Sequence, residues 1–202
     1  MQLELPVTLR TSYPNEVPQD QDILDRINLS RNANLVEGFT YRDNHSEEFP
    51  HKFSCEININ NSNLWTFFKA FLLSFPEEIA VIYHHCDDEP TYSLYKDKFE
   101  ILNILSVFEI EIVKDGFLEL GIIHNTEDYL EEVFIKKGKY IQYWGMDFEK
   151  FKNIADSFSI HQIDDLNFID EYPVTTEPLQ IYMPETTVTS EVIKILDKQL
   201  LE

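Results

Sequence analysis

The clearest secondary-structure signal lies in residues 110–145, IEIVKDGFLELGIIHNTEDYLEEVFIKKGKYIQYWG, where short apolar runs alternate with turn sequences. Asp115-Gly116 and Lys137-Gly138 each separate two such runs, which is the pattern of a β-hairpin. Strands joined by hairpins are antiparallel, and here they follow helical segments instead of alternating with them. The sequence therefore predicts an α+β fold, a mainly antiparallel sheet with helices packed on it.

The chain upstream of this segment predicts a strand, a helix and a second strand. Apolar and polar residues alternate over residues 53–59, as in a half-buried strand. The polar run 60–63 then supplies an N-cap for a helix over 64–75, whose apolar residues recur every three to four positions until Pro76 ends it. Residues 79–85 are almost uncharged, which indicates a buried strand.

Weaker patterns outside this region predict further elements. The alternating leucines of residues 2–10 indicate a strand, which Pro6 would place at a sheet edge. A helix is expected over 95–108, with its apolar face formed by Phe99, Leu102, Leu105 and Phe108. Asp147 can cap another helix, and a last amphipathic helix is expected from Ser190 to Leu201.

The length of 202 residues predicts a single domain, residues 1–202, because one core of this size buries roughly 70% of the unfolded chain's surface. Within it we distinguish a polar N-terminal segment (1–50), the core (51–160) and a proline-containing C-terminal segment that ends in a helix (161–202).

The charge balance is strongly acidic, with 37 acidic against 16 basic residues and a formal net charge of −21. A disordered acidic tail is excluded, because 43% of the residues are hydrophobic and can form a core. Binding to nucleic acid is disfavoured, since the polyanion would be repelled and no basic patch is present. We therefore expect a protein partner and no nucleic-acid partner.

The expected compartment is the cytoplasm. The first residues, MQLELP, lack the basic and apolar regions of a secretory signal. The most apolar window, residues 64–75, is too short to cross a membrane and contains Lys69. Two cysteines, Cys55 and Cys86, provide no disulfide framework and suit a reducing compartment. We expect no membrane association.

Metal chemistry is the first catalytic possibility. The run from His84 to Glu89 (HHCDDE) is the densest group of potential ligands. If the strand continues through this run, His84 and Cys86 share one face and His85 and Asp87 the other, so the ligands would not converge. We therefore predict no metal site and no cofactor.

Nucleophilic chemistry has equally little support. Cys55 or Cys86 could pair with His124 or His161, but Cys55 lies on the apolar face of its strand, where a thiol is usually inert. No G-x-S-x-G, P-loop or dinucleotide motif occurs, and the chain has only five glycines. The sequence predicts no catalytic residues, and hence a protein that is not an enzyme.

The remaining signal is the distribution of acidic and aromatic residues. Seven acids in three local clusters are the candidate partner-binding residues: Asp87, Asp88, Glu89, Glu127, Asp128, Glu131 and Glu132. Nearby aromatic residues could anchor an interface or belong to the core: Tyr92, Tyr95, Tyr129, Tyr140, Tyr143 and Trp144. The plain alternative is a solvated acidic exterior with no binding role.

Residues 117–145 form a strand, an acidic turn, a second strand and an aromatic strand that ends at Trp144-Gly145 before a helix. Over about residues 79–160 the chain resembles the immunity proteins of bacterial polymorphic-toxin and contact-dependent inhibition systems. The resemblance implies a non-enzymatic 1:1 inhibitor that binds a cognate toxin and occludes its active site. Nuclease toxins are basic, so the seven acids would lie where phosphates bind. Two alternatives stay open: an adaptor or structural subunit, and a metal-dependent enzyme using the His84–Asp88 cluster.

Overall fold

The computed structural model describes residues 2–46 and 48–202 and shows an α+β fold, as the sequence predicts. The strands are β1 (Leu9–Thr11), β2 (Gly38–Asp43), β3 (Phe53–Asn58), β4 (Glu78–His85), β5 (Thr91–Tyr92), β6 (Lys96–Asp97), β7 (Leu118–Thr126), β8 (Tyr129–Ile135), β9 (Ile141–Gly145) and β10 (Val174–Thr176). The helices are α1 (Gln21–Ser30), α2 (Asn61–Ser74), α3 (Lys98–Ser106), α4 (Glu109–Lys114), α5 (Phe148–Ser157) and α6 (Thr189–Leu200).

The main sheet is antiparallel throughout and has the strand order β2-β3-β9-β8-β7-β4-β5, with β6 pairing to the first residues of β4. The hairpin predicted at Lys137-Gly138 joins β8 to β9. Its left-handed residue is Lys139 (φ 56°), whose buried ammonium donates to the Ile112 and Leu118 carbonyls at 2.9 and 2.7 Å. This anchors the turn to α4 and β7.

The core lies on one face of this sheet. α2 is its centre, because its stripe of Leu64, Phe67, Phe68, Phe71 and Leu72 is fully buried, as the spacing predicts. Helices α3, α4, α5 and α6 contribute to the same cluster. Burying a large apolar side chain stabilises a protein by about 1.5–3 kcal/mol, so α2 holds the helical layer on the sheet.

The prediction of a hairpin at Asp115-Gly116 is wrong, because Glu109–Lys114 forms helix α4. Two residues, Ile110 and Ile112, are too few to establish the period of a strand. The helix buries Ile112 and Val113 against the main core and leaves Ile110 exposed. Asp115 then ends the helix and accepts a hydrogen bond from Thr189 Oγ1 at 2.6 Å.

Other boundaries also differ from the predictions. Helix α3 begins after Asp97. Of its predicted apolar face, Leu105 and Phe108 are buried and Leu102 packs against the core, but Phe99 is 55% exposed. Ile101, which was not predicted, is fully buried. The predicted N-terminal strand is shortened to β1, which pairs with β10 in a separate two-stranded sheet. The side chain of Asn60 does not cap α2 but accepts from the Glu4 amide at 2.8 Å.

The terminal segments are built into the structure. Strand β2 lies in the main sheet and its Phe39 belongs to the main core, so residues 1–50 contribute to that core. Leu3 and Leu5 pack with Leu35 in a smaller cluster. In the C-terminal segment, Asp197 of α6 accepts a hydrogen bond from Tyr83 of β4 at 2.9 Å.

Candidate docking face

The second face of the main sheet carries no helix among the described residues. Strand alternation directs every other side chain away from the helices, and a separate small apolar cluster forms there entirely from strand residues. We call this surface the open face. Its apolar members are Ala80, Ile82, Ile123, Leu130, Phe134 and Trp144.

Three adjoining depressions of about 140, 310 and 200 Å³ run across the open face, and we call them together the groove. Trp144 lines all three. Glu132 lines the two larger depressions, which extend to Tyr92 on one side and Phe49 on the other. The groove is therefore a shallow, aromatic-lined surface and not an enclosed pocket.

A glycine shapes the floor of the groove. A Cβ atom at Gly121 would lie 2.5 Å from Cδ2 of Phe134, so only glycine allows this ring to lie against the sheet. His84 stacks on the same ring at 5.9 Å between centroids, and the Lys136 ammonium lies 5.4 Å from it. The same Cβ would lie 2.6 Å from the Val133 carbonyl oxygen, so Gly121→Ala would disturb the pairing of β7 with β8 as well as the Phe134 ring.

Glu132 is the carboxylate of the groove. Its neighbours on the adjacent strands are Trp144 and Ile123, so the side chain lies among apolar groups. Burial raises the pKa of Glu132 to about 7, and Lys136 opposes the shift. A carboxylate desolvated in a cleft is costly when ionised, which favours a functional role over a structural one.

Arg42 and Lys136, two cations that line the groove, are each paired with another carboxylate. Arg42 pairs with Glu56 at 3.5 Å, and Lys136 pairs with the buried Glu119 at 3.3 Å. Glu132 accepts no hydrogen bond from any side chain in the described part of the chain. It therefore remains available to a cation from outside the molecule.

His51 adds a polar group at the rim of the groove, beside Phe49, Leu130 and Glu132. Its Nδ1 is buried and has no hydrogen-bond partner among residues 2–46 and 48–202. Burial also lowers the pKa of His51.

Glu131 points to the opposite side of the sheet and is only 1% exposed. Its carboxylate accepts hydrogen bonds from Tyr129 and Tyr143 at 2.6 and 2.7 Å, and from the Lys150 ammonium at 2.7 and 2.9 Å. These contacts join α5 to the sheet. Glu131 is therefore a structural residue, which corrects its inclusion among the candidate partner-binding acids.

The exposed acids do not form one patch. Asp87, Asp88 and Glu89 follow the end of β4, at the level of Leu118, whereas Glu127 and Asp128 form the turn after Thr126. Eight residue steps along β7 separate the two levels, or about 26 Å at 3.3 Å per residue. Of the seven predicted acids, Glu132 alone lies in the groove between them.

Among the predicted aromatic residues, too, some are buried and others lie on the open face. Tyr140 and Tyr143 are buried, whereas Trp144 and Tyr92 line the groove. Phe134 and Gly121 were not among the predicted binding residues. Period-two alternation in β8 and β9 places Glu132, Phe134 and Trp144 on one face, and that pattern could have identified the groove.

The predicted separation of the His84–Asp88 ligands is wrong, because β4 ends at His85. Beyond it the chain turns, and potential ligand atoms of His85, Cys86 and Asp87 lie within 4.8 Å of one another. His84 points instead to the open face, 3.6 Å from Glu119. Alternation therefore applies to His84 and His85 but not to Cys86.

Neither thiol is arranged as an activated nucleophile. Cys55 is 2% exposed in the main core, and burial raises the pKa of its thiol. For Cys86, burial and Asp87 raise the thiol pKa, while Lys137 opposes them. Both thiols are free.

Comparison with known proteins yields no match to a family model, to a curated sequence or to a solved structure. In the part of the chain that the structure describes, every helix is too short or too polar to cross a membrane.

Proposed function

We propose that this chain is a cytoplasmic, non-enzymatic binding protein that docks a basic protein domain on its open face and neutralises it. The observation that carries the proposal is the groove: aromatic side chains surround Glu132, a desolvated carboxylate that makes no ion pair with any of the described residues. Interfaces are commonly anchored by buried aromatic residues at the centre of such a patch.

The charge of the chain supports a basic partner. A net charge of −21 attracts a basic domain at long range, and Glu132 offers it a specific contact at the centre of the groove. The acidic turns at the two ends of β7 lie outside the groove and can contribute rim contacts. A toxin inhibitor of the type that the sequence resembles would occlude an active site in this way.

The experiment is affinity capture from a lysate of the native organism at low salt, with the full chain as bait. Four baits are compared: the natural chain, Trp144→Ala, Glu132→Lys, and the control Phe99→Ala. Phe99 is also an exposed aromatic residue, but it lies on α3. A captured protein is then expressed alone and together with the chain.

We expect the natural chain and F99A to retain one basic protein, which W144A and E132K lose. Moderate salt releases this protein, and it is toxic unless the chain is co-expressed. Equal retention by all four baits would show that the open face is not the docking surface. A captured protein that is not toxic would overturn the neutralising role while leaving the docking face in place.

A further inference from the structure

The turn after β4 is fixed by backbone hydrogen bonds. The Asp88 amide donates to the His85 carbonyl at 2.8 Å, which closes a β-turn, and the Cys86 amide donates to the Phe117 carbonyl at 2.8 Å. The turn brings together the side chains of three consecutive residues that can each bind a metal. We call this the His85–Asp87 turn.

Two of the three side chains are already partly ordered. The His85 ring stacks on Phe117, with centroids 5.5 Å apart and planes at 11°, and Cys86 is half-buried. Asp87 is exposed, and its carboxylate lies beside the Cys86 thiol. The Asp87 amide lies 3.4 Å from His85 Nδ1, at the long limit for a hydrogen bond, so a metal would displace little.

We propose that the His85–Asp87 turn binds one zinc ion through the His85 imidazole, the Cys86 thiolate and the Asp87 carboxylate. Zinc accepts nitrogen, sulfur and oxygen ligands at about 2.0–2.3 Å, whereas calcium and magnesium require oxygen ligands. Ligand atoms around tetrahedral zinc lie about 3.5 Å apart, so a rotation of exposed Asp87 can close the site. The Cys86 thiol loses its proton to solvent as the sulfur–zinc bond forms, and no oxidation is involved.

The described residues supply three ligands, which leaves one position of a tetrahedral zinc ion without a ligand from these residues. Sites with three protein ligands leave this position to water or to a group from another molecule. The site lies at the end of β4 and does not depend on the docking role of the open face.

The test is a titration of the full, metal-free chain with Co²⁺, followed by Zn²⁺. A sulfur-to-cobalt charge-transfer band reports thiolate coordination, and Zn²⁺ should abolish it because zinc binds such sites more tightly than cobalt. The band reports Cys86 alone, since the other cysteine, Cys55, is buried in the main core. The expected stoichiometry is one ion per chain.

Substitutions of the three proposed ligands, with substitutions of two neighbouring residues as controls, identify the residues that bind the metal. Cys86→Ser should remove the band. Cys86→Ser, His85→Ala and Asp87→Asn should each weaken zinc binding at least about 10-fold, because even residues that only support a ligand typically cost about 10-fold when they are lost. His84→Ala and Asp88→Asn, which change residues on either side of the triad, should keep the band. The unfolding midpoint of each metal-free variant shows whether it is folded.

Absence of a charge-transfer band with stoichiometric Co²⁺ would overturn the proposal. So would unchanged zinc affinity in C86S, or a loss in H84A as large as that in H85A. None of these three results would bear on protein capture by the open face, so each proposal can fail without the other.

Discussion

Two neighbouring carboxylates, Glu131 and Glu132, lie in opposite environments because successive residues of a strand point to opposite faces of the sheet. Glu131 has three hydrogen-bond donors inside the molecule, whereas Glu132 has apolar neighbours and a pKa raised to about 7. Glu131 therefore stabilises the fold, whereas Glu132 lowers the stability of the fold at neutral pH. Such a cost is typical of residues retained for binding.

Replacing Glu132 by Gln should therefore stabilise the protein at pH 8. The unfolded chain loses this proton near pH 4.5, and the folded chain retains it up to about pH 7. Because the folded state binds more protons between these values, the natural chain loses stability as the pH rises through this window. We expect E132Q to raise the free energy of unfolding by about 1–2 kcal/mol at pH 8, less than the full shift because the side chain is partly exposed.

Urea unfolding of both proteins at pH 5 and pH 8 measures this difference. The gain should be small at pH 5, where the folded natural chain is still protonated. Glu109→Gln, at an exposed position on α4, is the matched control and should change little at either pH. An equal gain for E132Q at both pH values would show that the ionised carboxylate is not its source.

At the level of elements, burial decides how much an ion pair contributes to helix packing. Lys150 and Lys152 lie two residues apart on α5 and make ion pairs of similar length, 2.7 Å to Glu131 and 2.9 Å to Asp156. Lys150 reaches a carboxylate that is buried in the sheet. Lys152 reaches a half-exposed carboxylate on its own helix.

Lys150→Met should lower the free energy of unfolding by about 3 kcal/mol, because it leaves a buried carboxylate without its cation. Lys152→Met, the control on the same helix, should lower it by less than about 0.5 kcal/mol. Adding Glu131→Gln to K150M should recover part of the loss, since it removes the buried charge. Equal losses for the two lysine variants in urea unfolding would contradict this account.

Elements with long periodic patterns were predictable, and short ones were not. The sequence identified α2 and the β8–β9 hairpin, because many residues repeat one period or flank one turn. It assigned Ile110 and Ile112 to a strand, whereas they lie in helix α4, which is less than two turns long. The packing of Ile112 and Val113 against the main core decides that segment, and packing of this kind is a long-range property.

At the scale of the whole molecule, one part of the candidate site could also be predicted from the sequence and another part could not. Alternation within β8 separates Glu131 from Glu132 and could be read from the sequence. The placement of the acidic turns at opposite ends of β7 depends on the pairing of β4 with β7, residues far apart in the chain. The pairing of β1 with β10 is equally remote, from Leu9 to Thr176. Local sequence does not encode such registers.

The charge of −21 acts on the molecule as a whole, because the acids are spread over several separate surfaces. At about 0.01 M ionic strength the screening length is about 30 Å, which is comparable to the whole domain, so most carboxylates repel one another. At about 0.15 M it falls to about 8 Å, and only close neighbours interact. Repulsion of this kind destabilises the compact state more than the expanded chain.

We therefore expect NaCl to stabilise the protein. Between about 0.01 and 0.15 M NaCl at pH 8 the thermal midpoint should rise by several degrees. For a chain of this size, such a rise corresponds to a gain in the free energy of unfolding on the order of 1 kcal/mol. KCl should act alike, because screening depends on ionic strength, whereas an equal osmolarity of glucose should have a smaller effect. The buried pair Lys150–Glu131 is screened much less than surface charges, so K150M should show the same salt-dependent rise from a lower starting midpoint. A midpoint that falls as salt is added would mean that surface ion pairs, not general repulsion, dominate the electrostatics of this acidic chain.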